Sequence, residues 1–547
     1  MGPLEELRTA VESAAAALRN GTPSTSMRPT LERPKKQGFG DYSTNAAMLL
    51  APALGAPPRE IAERLAGTLS GALGDRVDHV EVAGPGFLNV FLAQDWFVGA
   101  LEELLAAGDA FGAGAPAGPG ERVLVEFVSA NPTGPLTAAG GRHAAYGDAL
   151  ARILEFRGDR VEREYYINDH GTQVRKLGES IRARARGEEV PEGGYEGEYV
   201  RDLAAELPGA ADADPDELGR QGAELMVARI RATLHRYRVD FDTWFSERTL
   251  HEAEPSPVEQ HYEELEREGH VFRSEGAVWL RTSAFGDDKD RVLRRSSGEH
   301  TYFAADVAYH EAKRERGFDR LIDVWGADHH GYVARMRAAF AALGGDPDKL
   351  ELIIMQFVNV IERGERASMS KRRGDFVTLD DLLDEIGVDA ARFFLLQRSH
   401  DTTVDLDLDL ARQQSSDNPV YYVQYAHARI ASLRQKAGEA RVETALGAVA
   451  GGSGPDEALH PAERALINRL LAFPGEVEEA AARRAPHRLA AYALELAQEF
   501  TAFYRDCRVV GAEPEAVESF RLALSAATQR TIARALDLLG VTAPAEM

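Results

Sequence analysis

The chain has 547 residues, with 63 basic and 88 acidic side chains and a formal net charge of −25. Hydrophobic residues make up 44% of it, which is enough for several packed cores and excludes a wholly disordered protein. Its single cysteine, Cys507, excludes a disulfide framework and a four-cysteine zinc site. The acidic balance excludes a protein that is basic throughout, but local basic patches remain compatible with nucleic acid binding.

Residues 1–115 are predicted to form a small α+β domain. Apolar residues at helical spacing open the chain, and a second helix is predicted from Pro58 to Leu73. The segment Val80–Leu92 is typical of two strands joined by a Gly-Pro-Gly turn. A linker rich in Gly, Ala and Pro, Gly112–Gly120, ends this domain.

Residues 116–400 are predicted to form a doubly wound parallel sheet with an insertion at about residues 187–290. The order strand, Pro/Gly loop, helix (Arg142–Phe156) and strand is the unit from which such sheets are built. An acidic, Gly-rich stretch, Gly187–Leu218, is predicted to lie at the surface. The predicted strands are Val123–Ser129, Val161–Asn168, Leu321–Trp325 and Leu350–Val360.

Residues 401–547 are predicted to form a helical bundle, because strand signals fade and long amphipathic helices follow. A Gly-rich loop, Gly451–Glu457, separates two of these helices. One predicted helix carries apolar side chains three or four residues apart on its core face, namely Leu489, Tyr492, Leu496, Phe500 and Phe503.

The first twenty residues, which include Glu5, Glu6 and Glu12, lack the basic start and apolar core of a secretion signal. No apolar run approaches the roughly 20 residues that are needed to span a bilayer. These features, together with one cysteine, predict a cytoplasmic protein without a membrane segment.

Glu126 stands out because it interrupts an apolar strand, where an unpaired carboxylate is costly to bury. One hypothesis is structural: Glu126 pairs with an arginine of the fold or lies at the strand edge. The other is functional: it receives a cationic ligand at the carboxyl end of the strand, where open α/β sheets bind their substrates. Sequence order leaves both open.

Two polar loops are candidates for phosphate binding. The loop Asn131–Gly141 leads into a helix predicted to begin near Gly140, and backbone N–H groups at a helix start favour phosphate. The loop Ser368–Asp375 carries three consecutive basic residues, which are either a solvated surface or a cationic arm that neutralises a triphosphate.

Several separated motifs occur together in one order. They are VEFVSANPTGPL (Val125–Leu136), GDALARILEFRGDRVEREYYINDHGTQ (Gly147–Gln173), VWGADHHGYV (Val324–Val333), SMSKRRG (Ser368–Gly374) and NPVYYVQYAHARI (Asn418–Ile430). Together they resemble the arginyl-tRNA synthetase family of class I aminoacyl-tRNA synthetases, over essentially the whole chain. The resemblance implies a class I Rossmann-like catalytic domain between an α+β N-terminal domain that binds tRNA and an all-α anticodon-binding domain.

The resemblance implies an arginine pocket in the catalytic domain. Glu126 and Asn131 correspond to residues that hold the amino acid, and Tyr302 and Asp306 to residues that recognise its guanidinium. Fixed carboxylates suit this ligand, because a planar guanidinium forms paired hydrogen bonds with them. The predicted arginine-binding residues are Glu126, Ser129, Asn131, Tyr302, Asp306 and His329. His329 and His330, predicted to lie on a strand, would point to opposite faces, so no protein-only metal site is predicted.

The ATP site implied by the resemblance departs from the family at one point. The HIGH signature, whose two histidines contact the ATP phosphates, is replaced by Thr137-Ala138-Ala139-Gly140. Either backbone N–H groups, His143 and Lys371 take over this role, or activation is weak or lost. Lys371 matches the second lysine of the KMSK motif. The predicted catalytic residues are His143, Ser370 and Lys371, and the predicted ATP-binding residues are Pro135, Leu136, Thr137, Gly140, Gly141, Met369 and Lys371.

The function implied by the resemblance is ATP-dependent attachment of L-arginine to its tRNA through an arginyl-adenylate, by a monomer that binds Mg²⁺ with ATP. The alternative from the lost histidines is a non-catalytic paralogue that binds tRNA or arginine, and a synthetase for another amino acid is a third. The predicted tRNA-binding residues are Tyr42, Asn45, Tyr421, Tyr425 and Arg429. Tyr422 and His427 offer contacts on the same bundle, with bundle core as the alternative for such aromatic residues.

Overall fold

The computed structural model describes residues 2–19, 29–34, 38–114, 120–366 and 377–547. Near the N-terminus, helices pack on an antiparallel sheet with strand order β1-β3-β2, as the strand–turn–strand prediction required. The elements of this region are α1 (Pro3–Leu18), β1 (Tyr42–Thr44), α2 (Ala46–Leu54), α3 (Pro58–Leu73), β2 (Val77–Ala83), β3 (Phe87–Leu92) and α4 (Gln94–Ala107). The predicted helix Pro58–Leu73 is confirmed at both ends.

Five parallel strands form the central sheet among the described residues, in the order β11-β10-β4-β5-β6. They are β4 (Arg122–Glu126), β5 (Arg160–Ile167), β6 (Thr243–Ser246), β10 (Arg320–Gly326) and β11 (Leu350–Met355). Helices α5 (Ala138–Phe156), α11 (Tyr302–Glu315) and α12 (Val333–Ala342) occupy the crossovers of this sheet. The predicted doubly wound architecture is confirmed.

Two predictions about element boundaries in this region are wrong. Helix α5 begins at Ala138, because Thr137 caps it by accepting a hydrogen bond from the N–H of Gly140. The predicted strand Leu350–Val360 is two strands in different sheets: β11 belongs to the central sheet, and β12 (Val358–Glu362) pairs with β13 (Glu365–Arg366) and β14 (Val404–Asp407).

The stretch Gly187–Leu218 is folded and packs on its own small core. Helices α6 (Thr172–Arg186), α7 (Glu198–Glu206) and α8 (Pro215–Arg236) bury apolar side chains against one another. Further along the chain lie α9 (Arg248–Glu252), α10 (Pro257–Arg267), β7 (Val271–Ser274), β8 (Ala277–Leu280) and β9 (Arg291–Arg294). The last three strands form an antiparallel sheet of their own.

The C-terminal part is helical, as predicted. The five side chains predicted to form the core face of one helix, from Leu489 to Phe503, are all buried. The helices of this C-terminal part are α13 (Leu379–Leu396), α14 (Leu408–Ala411), α15 (Pro419–Ala437), α16 (Glu439–Ala450), α17 (Pro461–Leu471), α18 (Phe473–Ala482), α19 (His487–Asp506) and α20 (Glu515–Leu538). Among the described residues, no helix has the length and apolar character needed to cross a membrane.

A buried ion pair joins the central sheet region to the helical bundle. Arg392 of α13 donates to the carboxylate of Asp148 on α5 and to the carbonyl oxygens of Tyr237 and Leu539. Both charged side chains are almost fully buried. Although burial works against it, Arg392 lowers the pKa of Asp148 below its ordinary value. Carbonyl oxygens at the C-terminal ends of α8 and α20 therefore accept hydrogen bonds from the same guanidinium.

Replacing Asp148 by Asn should lower the free energy of unfolding by about 3–5 kcal/mol, because Arg392 then lacks its buried counter-charge. Urea denaturation followed by tryptophan fluorescence measures this change. The exposed Asp75→Asn is the matched control and should change stability by less than about 0.5 kcal/mol. Equal stability of the two variants would contradict this role for the ion pair.

Candidate active site

Three carboxylates lie side by side across the central sheet. In the strand register, Asp323 of β10 is opposite Glu126 of β4, and Glu126 is opposite Glu164 of β5. All three are buried. Like charges in neighbouring register positions repel one another, so this carboxylate row requires cations or hydrogen-bond donors nearby.

Helix α11 and the residue just after it supply those partners. Lys313 donates to both Glu126 (2.6 Å) and Asp323 (2.7 Å) and is completely buried. His310 Nε2 lies 2.8 Å from Asp323. At the other end of the row, Glu164 accepts hydrogen bonds from the Tyr309 hydroxyl and from Arg316. Burial alone would lower the pKa of Lys313, but Asp323 and Glu126 raise it above its ordinary value, so the ammonium stays charged.

Glu126 forms a buried ion pair within the fold, as the structural hypothesis predicted, but its partner is Lys313 and not an arginine. One carboxylate oxygen of Glu126 accepts from Lys313, and the other accepts from the Ser129 hydroxyl at 2.7 Å. Ser129 also accepts from the backbone N–H of Tyr166. The backbone turns sharply here, with positive φ at both Val128 and Ser129, and this turn places the Ser129 hydroxyl against the Glu126 carboxylate. Two predicted substrate residues are thus joined at the carboxyl end of β4.

The same helix carries the residues predicted to recognise a guanidinium. Tyr302 begins α11 and is 56% exposed, whereas Asp306 lies one turn further on. Asp306 accepts a hydrogen bond from the Tyr332 hydroxyl at 2.6 Å, and its carbonyl oxygen lies 2.8 Å from His310 Nδ1. Burial raises the pKa of Asp306 to about 6, although Tyr332 and His310 oppose the shift. A cationic ligand would satisfy this carboxylate.

Two side chains near this pocket, Glu247 and Tyr332, were not predicted from the sequence. Glu247 follows β6 and is 2% exposed, and the Tyr166 hydroxyl lies within hydrogen-bonding reach of it. Tyr332 holds Asp306 directly. The sequence pattern that could have indicated Glu247 is its position directly after the end of the strand β6. No residue spacing in the sequence indicated Tyr332 as a pocket residue.

Neither His329 nor Asn131 takes part in these hydrogen bonds among the described residues. His329 is in a 3₁₀ helix, Ala327–Tyr332, so its predicted place on a strand is wrong. Its side chain is exposed, while Tyr332 of the same turn contacts Asp306. Asn131 is exposed in the loop after β4. The roles of both in holding arginine stay predictions.

The predicted ATP-binding loop closes against the segment that follows the basic loop. Thr137 forms an isolated β-bridge with Thr378, and the backbone N–H of Leu379 donates to the carbonyl of Leu136. Pro135 and Leu136 also line a cavity of 380 Å³ beside α8. Gly140 and Gly141 lie in the first turn of α5, where their backbone N–H groups donate to the hydroxyl and to the carbonyl oxygen of Thr137. The predicted residues Met369, Ser370 and Lys371 lie outside the described residues.

His143 lies on α5, and its Nδ1 is buried with no hydrogen-bond partner among the described residues. Burial, with Arg142 next to it, lowers the pKa of His143 to about 4. Its imidazole is therefore neutral near pH 7.

Family models match three parts of the chain. The arginyl tRNA synthetase N terminal domain matches residues 5–92, the catalytic domain of tRNA synthetases class I (R) matches 214–431, and the DALR anticodon binding domain matches 423–547. An arginine–tRNA ligase of Frankia alni is 48% identical over 95% of this chain and 94% of its own length. The chain belongs to the arginyl-tRNA synthetase family.

Two further comparisons agree with this assignment. An arginine–tRNA ligase of Carboxydothermus hydrogenoformans is 45% identical, with 94% of each chain covered. The solved structure of Thermus thermophilus arginyl-tRNA synthetase covers 99% of both chains at 26% identity, with a TM-score of 0.74. The fold of that synthetase is therefore shared over 99% of this chain.

The two residues near the N-terminus that are predicted to contact tRNA both form hydrogen bonds within the protein. Tyr42 is buried, and its hydroxyl donates to Asn468 of the helical bundle. This placement speaks against a direct tRNA contact for Tyr42. Asn45 is half-buried and accepts from the backbone N–H of Thr30. Phe39 and Phe87 are exposed aromatic side chains of this region.

The three predicted tRNA contacts on α15 lie together on one surface. The rings of Tyr421 and Tyr425 are nearly parallel with centroids 6.2 Å apart, and Arg429 donates to the Tyr425 hydroxyl. Arg429 also stacks over Tyr504, which the sequence analysis did not single out. By contrast, His427 is buried and faces the carbonyl of Pro544, so the core alternative holds for it.

Replacing Lys313 by Met should lower the free energy of unfolding by about 3–5 kcal/mol, because Glu126 and Asp323 would face each other without a cation. Chemical denaturation of the full chain measures this change. Lys289→Met, at an exposed lysine, is the matched control. If both variants unfold at the same denaturant concentration, Lys313 does not stabilise the carboxylate row.

Proposed function

We propose that the protein is an arginine–tRNA ligase that forms an arginyl-adenylate from L-arginine and ATP and transfers the arginyl group to its tRNA. The observation that carries the proposal is the half-buried carboxylate of Asp306, one helical turn after Tyr302, on a helix that is fixed to the substrate end of the sheet. The two full-length relatives named as arginine–tRNA ligases support it. They also favour catalysis over the non-catalytic alternative.

In the first step, the carboxylate of arginine attacks the α-phosphorus of ATP and pyrophosphate leaves. The protein contributes position and charge more than covalent chemistry. We infer that Asp306 and Tyr302 hold the guanidinium end, while Glu126, Ser129 and Asn131 orient the amino acid. His329 lines the outer part of this pocket. In the second step, the adenylate passes the acyl group to the terminal adenosine of the tRNA.

The phosphates are expected to bind where α5 begins. The first turn of α5 begins with the backbone N–H groups of Ala138 and Ala139, which we infer face the phosphates. Thr137 caps this turn, at a position where the family has one of its histidines. His143 supplies a neutral imidazole, and Lys371 with Ser370 supplies charge and a hydroxyl as the transition state forms. Mg²⁺ is expected to enter with ATP, since phosphate oxygens and water are its preferred ligands.

The tRNA is expected to bind along the helical bundle and the N-terminal region. Tyr421, Tyr425 and Arg429 offer stacking surfaces and a cation beside a cavity of 750 Å³. Asn45 lies near the exposed Phe39 in sequence and belongs to the second contact region. Since the net charge is −25, binding depends on such local patches and weakens with salt. We infer a cytoplasmic monomer.

Aminoacylation of total tRNA with each of the twenty amino acids tests the proposal. Arginine alone should be charged, and Asp306→Asn should raise the Michaelis constant for arginine about 10- to 100-fold, because a charge-assisted hydrogen bond is lost. Asp456→Asn, in an exposed loop, is the matched control. Charging of another amino acid, or an unchanged Michaelis constant in Asp306→Asn, would refute the pocket assignment.

The affinity for arginine should depend on pH with a midpoint near the Asp306 pKa of about 6. The guanidinium stays charged throughout, so affinity rises as Asp306 loses its proton between pH 5 and 7 and falls as pH drops through 6. The pH profile of kcat/KM for arginine reports this ionisation in the free enzyme. Asp306→Asn should remove this step, and a profile that keeps it would assign the step to another group.

A further inference from the structure

We propose that the three-helix unit α6–α8 positions the ATP site, through a hydrogen bond from Tyr199 to the loop that precedes α5. The Tyr199 hydroxyl donates to the carbonyl oxygen of Thr133 at 2.8 Å. Thr133 lies between Asn131, which we place beside the amino acid, and Thr137, which caps α5 where the phosphates are expected. Tyr199 is therefore a positioning residue, and its role rests on the proposed function.

Tyr199 stands on a helix whose place is fixed by burial. It lies in the first turn of α7, and two nearby residues of that helix, Val200 and Leu203, are completely buried in the core of the three-helix unit. The Tyr195 hydroxyl, shortly before α7, donates to Gln173 of α6 at 2.6 Å. These contacts hold the Tyr199 ring in one place relative to the rest of the unit.

The loop before α5 leaves room for this ring. Thr133 is buried, and the residue after it is Gly134. A β-carbon added at Gly134 would lie 3.1 Å from the Tyr199 hydroxyl oxygen and 3.2 Å from the ring carbon that bears it, which is closer than ordinary contacts. Glycine therefore lets the tyrosine reach the loop. Burial raises the pKa of Tyr199 above its ordinary value, so the hydroxyl keeps the proton that it donates.

Packing alone does not hold the loop on the side that faces α8. A cavity of 380 Å³ is lined by Pro135 and Leu136 of the loop, by Met226 and Ile230 of α8, and by Tyr199. Atoms that face a cavity lack contact partners there. The hydrogen bond from Tyr199 therefore fixes a loop that dispersion contacts leave partly unsupported.

The three-helix unit also contacts the helix that follows the basic loop. Asp380 of α13 accepts a hydrogen bond from the Thr233 hydroxyl of α8 at 2.5 Å. Leu379, next to Asp380, donates its backbone N–H to the carbonyl oxygen of Leu136. The unit thus holds the loop before α5 directly through Tyr199 and indirectly through α13.

This arrangement predicts different effects on the two small substrates. Tyr199 holds the loop that leads to the expected phosphate site, whereas Asp306 is held separately by Tyr332. Loss of the Tyr199 hydroxyl should therefore weaken ATP binding and leave recognition of the guanidinium nearly unchanged. The arrangement also gives a role to the acidic, Gly-rich stretch Gly187–Leu218, in which Tyr199 lies.

Steady-state aminoacylation by full-length Tyr199→Phe tests the positioning role. The Michaelis constant for ATP should rise about 2- to 10-fold, the range expected for one neutral hydrogen bond, while that for arginine should stay nearly unchanged. Tyr492→Phe is the matched control, because Tyr492 donates its hydroxyl to the carbonyl oxygen of Arg469 within the helical bundle at 3.0 Å. This control should lose similar stability in urea denaturation and keep the wild-type Michaelis constants. An unchanged ATP constant in Tyr199→Phe, or an equal rise in Tyr492→Phe, would overturn the positioning role.

Hydrogen–deuterium exchange of the full chain without substrates tests the contact independently of activity. The backbone N–H groups of residues 131–141 should exchange faster in Tyr199→Phe than in the wild type and in Tyr492→Phe. Equal exchange of this segment in all three proteins would overturn the contact. Failure of the proposed function would appear instead as absent arginine charging by the wild type, which leaves the exchange experiment unaffected.

Discussion

The neutralisation of three buried carboxylates by α11 is the constraint on which the rest of the site depends. Asp323, Glu126 and Glu164 are neighbours because the parallel register of β10, β4 and β5 makes them so. The cations that neutralise them come from α11 or the residue just after it, and the Ser129 hydroxyl after β4 adds one donor to Glu126. Helix and sheet are therefore locked in one relative position.

That position sets the geometry of the substrate pocket. Asp306 and His310 are one turn apart on α11, and His310 connects the backbone of Asp306 to the carboxylate row through Asp323. The carboxylate row thus fixes where the guanidinium-binding residues lie relative to the end of β4. The same residues explain why Lys313 is buried: it is the permanent cation beside a pocket whose substrate is a second cation.

The sequence predicted the sheet and the helical bundle well, because strands buried on both faces and helix core faces have strong local patterns. It could not predict the partner of Glu126, since Lys313 is 187 residues away and no local pattern links them. Helical spacing predicted that Tyr421, Tyr425 and Arg429 lie close together, but no local pattern showed that Tyr42 is buried against Asn468. Likewise, no local pattern links Tyr199 to Thr133, which is 66 residues away.

The most direct test of whether the pocket recognises the guanidinium charge is a titration with two ligands in the presence of tRNA. They are arginine and citrulline, its uncharged analogue of nearly the same shape. Arginine should bind, and citrulline should bind at least about 100-fold more weakly, because the Asp306 carboxylate selects the charge of a guanidinium. Equal affinity for the two ligands would contradict this prediction, since the Asp306 carboxylate would then play no part in recognising the substrate.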